Sequence, residues 1–184
     1  MSRKITILLG SPRRNGNSDT LAGAFASGAA EAGYRTHSIR ITGLKVGGCI
    51  DCRRCWTNGT HCFINDDMKE VYAHLDKSSV IVYASPLYFF SWSSQIKPLW
   101  DRMLPYSSVS TKVKMKGRRA VLIATAGDKD ESSFAGLRKS FELASEYIGW
   151  KIAGELLASG LHGPDEAKER KDLLDRAFEM GKNL

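Results

Sequence analysis

The sequence has little that would take it to or through a membrane. Before the Gly10-Ser11-Pro12-Arg13-Arg14 stretch the only apolar run is Ile5 to Leu9, too short for the core of a secretion signal, so a cytoplasmic location is expected. Ser78 to Ile96 carries no charge, yet six serines, Gln95 and Pro86 interrupt it. A spanning helix needs about twenty mostly apolar residues with its backbone bonds closed internally, so this segment reads as a buried strand feeding a loop. Linkers, repeats and low-complexity tracts are absent as well, and residues 1–184 read as one domain.

Familiar catalytic signatures are also missing. No Gly-Lys-Ser/Thr ending marks a triphosphate loop, and no Gly-x-Gly-x-x-Gly marks a tightly held dinucleotide. His37, His61, His74 and His162 are scattered and read as isolated surface residues, so no side chain is assigned general acid, base or nucleophile. The 26% of charged and 9% of aromatic residues leave no case for a disordered or collagen-like chain, and 42% hydrophobic residues suffice for one filled core. The 27 basic residues against 20 acidic ones give +7, which favours anionic ligands without choosing among them. Lys112, Lys114, Lys116, Arg118 and Arg119 form the most basic short stretch and read as a solvated loop; neither nucleic acid nor membrane is expected as a partner.

What remains is an alternation of short aliphatic runs with helical spacing. Strands are expected at Lys4–Leu9, Tyr34–Ile41, Ser79–Ala84, Arg118–Thr125 and Trp150–Leu157. Helices are expected at Ser18–Gly33, from Asp66-Asp67 to Asp76, at Ser93–Met103, along Phe134, Leu137, Phe141, Ala144 and Ile148, and at Pro164–Met180. This βαβ order implies an α/β fold with a parallel sheet covered on both faces, and ligands in such sheets bind beyond the carboxyl ends of the strands. The relevant loops are Ser11–Ser18, Pro86–Trp92 and Thr125–Asp130.

The first of these, Gly10-Ser11-Pro12-Arg13-Arg14-Asn15-Gly16-Asn17-Ser18, lies where a strand gives way to a helix. Free N–H groups and the helix dipole attract an anion there, Ser11, Asn17 and Ser18 add short donors, and Arg13 adds a charged one. A terminal monophosphate suits such a loop; a polar turn with Asn17 or Ser18 as helix cap would leave the same composition.

This motif resembles the flavodoxin-like NADPH-dependent FMN reductase family. Ser85-Pro86-Leu87-Tyr88-Phe89, running on to Gln95-Ile96-Lys97-Pro98-Leu99-Trp100-Asp101-Arg102, is similar to that family's flavin-ring loop and following helix, and Asp66-Asp67-Met68 adds to the likeness. The resemblance implies a flavodoxin-like three-layer sandwich with a five-stranded parallel sheet in the order 2-1-3-4-5. It further implies FMN held by Ser11, Arg13, Asn15, Asn17, Ser18, Pro86, Leu87, Tyr88, Phe89, Thr125 and Gly127, NAD(P)H as substrate, a small electron acceptor such as a flavin or quinone, and a homodimer or homotetramer. Phe90 and Trp92 depart from the usual glycine and smaller side chain; one of them is expected to narrow the approach to the ring or to pack across a subunit interface.

All four cysteines, Cys49, Cys52, Cys55 and Cys62, fall inside the loop at 44–66, a clustering chance produces on the order of one time in a thousand. The C-x2-C-x2-C-x6-C spacing lets three thiolates wrap one iron–sulfur cube while a fourth arrives from a short loop. Zinc with His61 as a substitute ligand, or free thiols including a redox-labile pair, fit the same residues, whereas a reducing compartment disfavours a disulfide. The set also resembles the iron–sulfur flavoproteins of this fold, which implies these four cysteines as ligands of a 4Fe-4S cluster and a ferredoxin-like protein as partner. Three functions are therefore carried forward: an NAD(P)H oxidoreductase, an electron carrier, and a non-catalytic binding domain.

Overall fold

The computed structural model describes residues 3–107 and 117–184, so Lys112, Lys114 and Lys116 lie outside the described residues. In chain order the elements are β1 (Lys4–Leu9), α1 (Asn17–Glu31), β2 (Arg35–Arg40), α2 (Arg54–Asn58), α3 (Met68–Leu75), β3 (Val80–Pro86), α4 (Lys97–Asp101), α5 (Leu104–Ser107), β4 (Arg119–Thr125), α6 (Ala135–Ile148), β5 (Lys151–Ala158) and α7 (Lys171–Lys182). The five strands form one parallel sheet in the order β2-β1-β3-β4-β5, as the sequence implies. Among the described residues no helix is long and apolar enough to cross a membrane.

Central strands are apolar on both faces because successive side chains point to opposite sides. On β3, Ile81 and Tyr83 enter a core shared with α3, α4 and α6, while Val80, Val82 and Ala84 enter another shared with α1 and α7. Where α1 crosses α7 the backbones nearly touch: a Cβ on Gly28 would lie 1.9 Å from the Phe178 carbonyl oxygen, and one on Gly181 would lie 2.1 Å from that of Phe25.

Two expected helices are shorter than their pattern. The segment from Ser93 yields only α4, because the Ser93 hydroxyl donates to the Gly10 carbonyl at 2.7 Å and the chain turns there before the helix begins. The segment from Pro164 is broken by a 3-10 turn, Glu166–Lys168, and only then becomes α7. Trp92 is buried, packed against Tyr83 and Trp100 with ring centroids 5.7 and 4.7 Å away, so it belongs to the core and not to the wall of the cleft described below.

Candidate functional site

The loops after β1 and β3 are locked together before they meet any ligand. Gly10 donates its N–H to the Ala84 carbonyl at 2.8 Å, and a Cβ on Gly10 would lie 2.4 Å from Ile96, so only glycine fits that crossing. The first loop then opens into the start of α1. A Cβ on Gly16 would stand 3.6 Å from the Ser11 hydroxyl and 3.8 Å from the Pro164 carbonyl oxygen, partly filling the space between two loops. The first N–H groups of α1 have no partner within the helix and face this space, with the dipole adding to their pull on an anion.

The space is a cleft of about 230 Å³ lined by Ser11, Arg13, Gly16, Asn17 and Ser18, by Pro86, Leu87 and Tyr88, by Thr125, Ala126 and Gly127, and by Leu161 to Pro164. Nine of the eleven residues expected to hold a cofactor therefore share one cleft. Asn15 and Phe89 do not line it. Asn15 stands at φ 57°, its N–H donating to the Asp19 carboxylate at 2.9 Å, and Phe89 is 97% exposed.

The wall from Leu161 to Pro164 is the part the sequence did not announce. Asn17 fastens it: its side-chain amide donates to the Gly163 carbonyl at 2.8 Å and accepts from the Ala167 N–H at 2.9 Å. That amide is thereby committed on both sides, so Asn17 offers an anion its backbone N–H. His162 lines the same wall, close over Gly127, where a Cβ would come 3.1 Å from its Nδ1. The histidines are not isolated as expected: His37 stacks on His74 at 3.9 Å, and His61 stacks on Tyr72 at 4.5 Å and meets the Asp76 carboxylate at 3.2 Å. Asp19, in the first turn of α1, is neutralised locally, because Arg40 pairs with it at 2.5 Å.

The ring loop ends in a tight turn. Tyr88 and Ser91 exchange backbone hydrogen bonds at 3.1 Å, and the two residues between them, Phe89 at φ 49° and Phe90 at φ 63°, both adopt the left-handed conformation. That is the geometry of a type I′ hairpin turn, normally built from Asn and Gly. Phe90 is 59% exposed.

The cysteine loop follows β2, at the same pole of the sheet. Asp51, Arg53 and Gly59 have positive φ, which turns the chain sharply between the thiols, and α2 occupies the span between Cys52 and Gly59. Cys49 and Cys52 are exposed, Cys55 and Cys62 half-buried. Burial pushes the Cys55 thiol up, and the neighbouring Cys62, Cys49 and Cys52 push it further. Among the described residues no three Cys, His, Asp or Glu side chains stand as a ready metal cage. The donor set is nonetheless four soft thiols on one short loop, which suits an iron–sulfur cluster, and below them lies the buried Arg102, whose Nε has no acceptor.

With this geometry in hand, the chain matches the family model for NADPH-dependent FMN reductase over residues 3–147. The chain belongs to that family. An iron–sulfur flavoprotein of Archaeoglobus fulgidus is 32% identical over 124 residues, covering 67% of this chain and 56% of that protein; one of Methanosarcina thermophila is 35% identical over 99 residues, covering 54% and 51%. The chain thus spans about half the length of these relatives. A Bacillus subtilis protein provisionally named as an NAD(P)H-dependent FMN-containing oxidoreductase is 24% identical over 92% of both chains. An NAD(P)H:quinone oxidoreductase from Methanothermobacter marburgensis superposes with a TM-score of 0.77 over 100% of this chain and 97% of its own at 20% identity, which shows the flavodoxin-like fold.

Proposed function

We propose that the chain binds FMN in the cleft beyond the sheet and uses it to oxidise NAD(P)H, passing hydride or electrons to a small acceptor such as a flavin or quinone. The observation that carries this reading is the convergence of an open helix N-terminus, Ser11, Arg13 and Ser18 with the apolar wall of Pro86, Leu87 and Tyr88 in one cleft. The N–H groups of α1 and the two hydroxyls hold the terminal phosphate, and Arg13 adds a charge-assisted contact from the rim. Pro86, Leu87 and Tyr88 cover a flat apolar ring, while the backbone at Thr125 and Gly127 meets its polar edge. FMN, when bound, supplies the hydride and one-electron chemistry; the protein positions it and limits access. The reducing cytoplasm and a homodimer or homotetramer belong to the same proposal.

Titrating the purified chain with FMN tests it. We expect one FMN per chain with quenched flavin fluorescence, NAD(P)H oxidation that depends on added quinone, and affinity about tenfold weaker in Arg13→Ala, the loss expected for one charged hydrogen bond. A chain that stays colourless at excess FMN overturns the reading and favours a non-catalytic binding domain.

A second reading is supported by the cysteine loop and by the names of the archaeal relatives: an electron carrier in which Cys49, Cys52, Cys55 and Cys62 hold a 4Fe-4S cluster that takes electrons from a ferredoxin-like protein. Anaerobic purification with iron analysis, followed by comparing NADPH with reduced ferredoxin as donor, separates the two readings. Reduction by ferredoxin alone favours the carrier.

A further inference from the structure

Arg102, at the end of α4, is the largest fully buried side chain of the described chain, and its ionic contacts all run to the base of the cysteine loop. Its guanidinium grips both Asp66 oxygens, at 2.5 and 2.9 Å, and donates to the Gly47 carbonyl at 3.1 Å. Asp66 in turn accepts from the Gly47 N–H at 3.0 Å, so the two residues hold the chain two positions before Cys49 from both of its backbone groups. The other end of the loop is held beside the same pair. Tyr72 donates to the Arg102 carbonyl at 2.5 Å, and its ring stacks on His61, the residue before Cys62. A buried pair of this kind is costly unless every N–H is used, yet Nε of Arg102 has no acceptor.

We infer that Arg102 is a positioning residue for the cysteine loop, and that its Nε–H is reserved for the sulfur of Cys62 when the four thiols are gathered around a cluster. The inference rests on the iron–sulfur reading above. Cys62 is close enough to act on Arg102: burial works against the cation, while the Asp66 hydrogen bond, Cys62, the Asp66 charge and Tyr72 together bring it above its ordinary value. An N–H donated to a ligating sulfur, with a cation behind it, stabilises the reduced and more negative cluster and so raises its reduction potential.

The test uses the full chain with FMN, reconstituted anaerobically with iron and sulfide, and compares wild type with Arg102→Lys and with the double variant Asp66→Asn, Arg102→Met. The double variant removes both partners, so no buried charge is left alone if Arg102→Lys proves unstable. One FMN per chain is the control for folding. In an EPR-monitored redox titration both variants are expected to shift the one-electron equilibrium about tenfold toward the oxidised cluster, which is about 59 mV. ENDOR on the reduced wild type is expected to show an exchangeable proton coupled to the cluster that both variants lack. Variants matching wild type in potential and proton coupling overturn the role of Arg102. Wild type that takes up no iron also overturns it, and iron analysis before any variant is made identifies that case as failure of the cluster reading.

Discussion

At the scale of single residues, the turn at Phe89 and Phe90 sets backbone preference against side-chain identity. A bulky residue in the left-handed region costs about 1–2 kcal/mol, and here two stand in succession, both exposed. Phe90→Gly is expected to raise stability by about 1 kcal/mol in urea melts, since the turn keeps its two backbone bonds and loses its strain. Unchanged or lower stability would mean that the aromatic ring makes a contact worth as much as the strain. The sequence marked Phe90 as a departure but could not separate it from Trp92, because an aromatic after an apolar strand suits a rim or a core equally well. Burial distinguishes them: Phe90 faces water, and Trp92 completes the aromatic core around Tyr83.

Between elements, the strands were readable almost to the residue because both faces of the central sheet are buried and their apolar runs are continuous. Boundaries set by side-chain contacts across the fold were not readable. The Ser93–Gly10 bond shortens a helix from 83 residues away, and the Ala167–Asn17 bond splits another from 150 residues away. The α1–α7 contact is as demanding as any core position: Gly28→Ala forces a methyl onto the Phe178 carbonyl and is expected to cost about 3 kcal/mol, measured by denaturant unfolding. The pair joining α4 to the cysteine loop makes a pH signature. Burial alone would raise the Asp66 carboxyl, but Arg102 and the Gly47 and Met68 N–H groups bring it below the usual carboxylate value. A depressed folded pKa contributes stability that is complete above the unfolded value near 3.8 and is lost as pH falls through the folded one. The urea midpoint of wild type is therefore expected to fall below about pH 4 more steeply than that of Asp66→Asn, with little difference in slope between pH 5 and 7.

Taken whole, the described molecule has two unlike poles because the long helices that link its parallel strands run back against them. The N-terminus of α1 lines the candidate cofactor cleft, and the C-termini of α1 and α3 lie at the other end, where basic side chains meet them: Arg3 donates to the Ala32 carbonyl after α1, and Arg118 to the Leu75 and Asp76 carbonyls at the end of α3. The larger basic cleft at that end, about 650 Å³ with Arg3, Arg118, Arg119 and Lys151 around Tyr34, is accounted for in part by this capping, which the +7 total alone could not reveal. The anion loop and the ring loop were legible as local motifs; the fourth wall was not, since Leu161 to Pro164 contains no pattern until Asn17 holds it in place. That wall lies past residue 147, where the match to the family ends. One side chain near the start of the chain therefore moors a wall that arrives some 146 residues later, and the cleft keeps its fourth side only while Asn17 holds both Gly163 and Ala167.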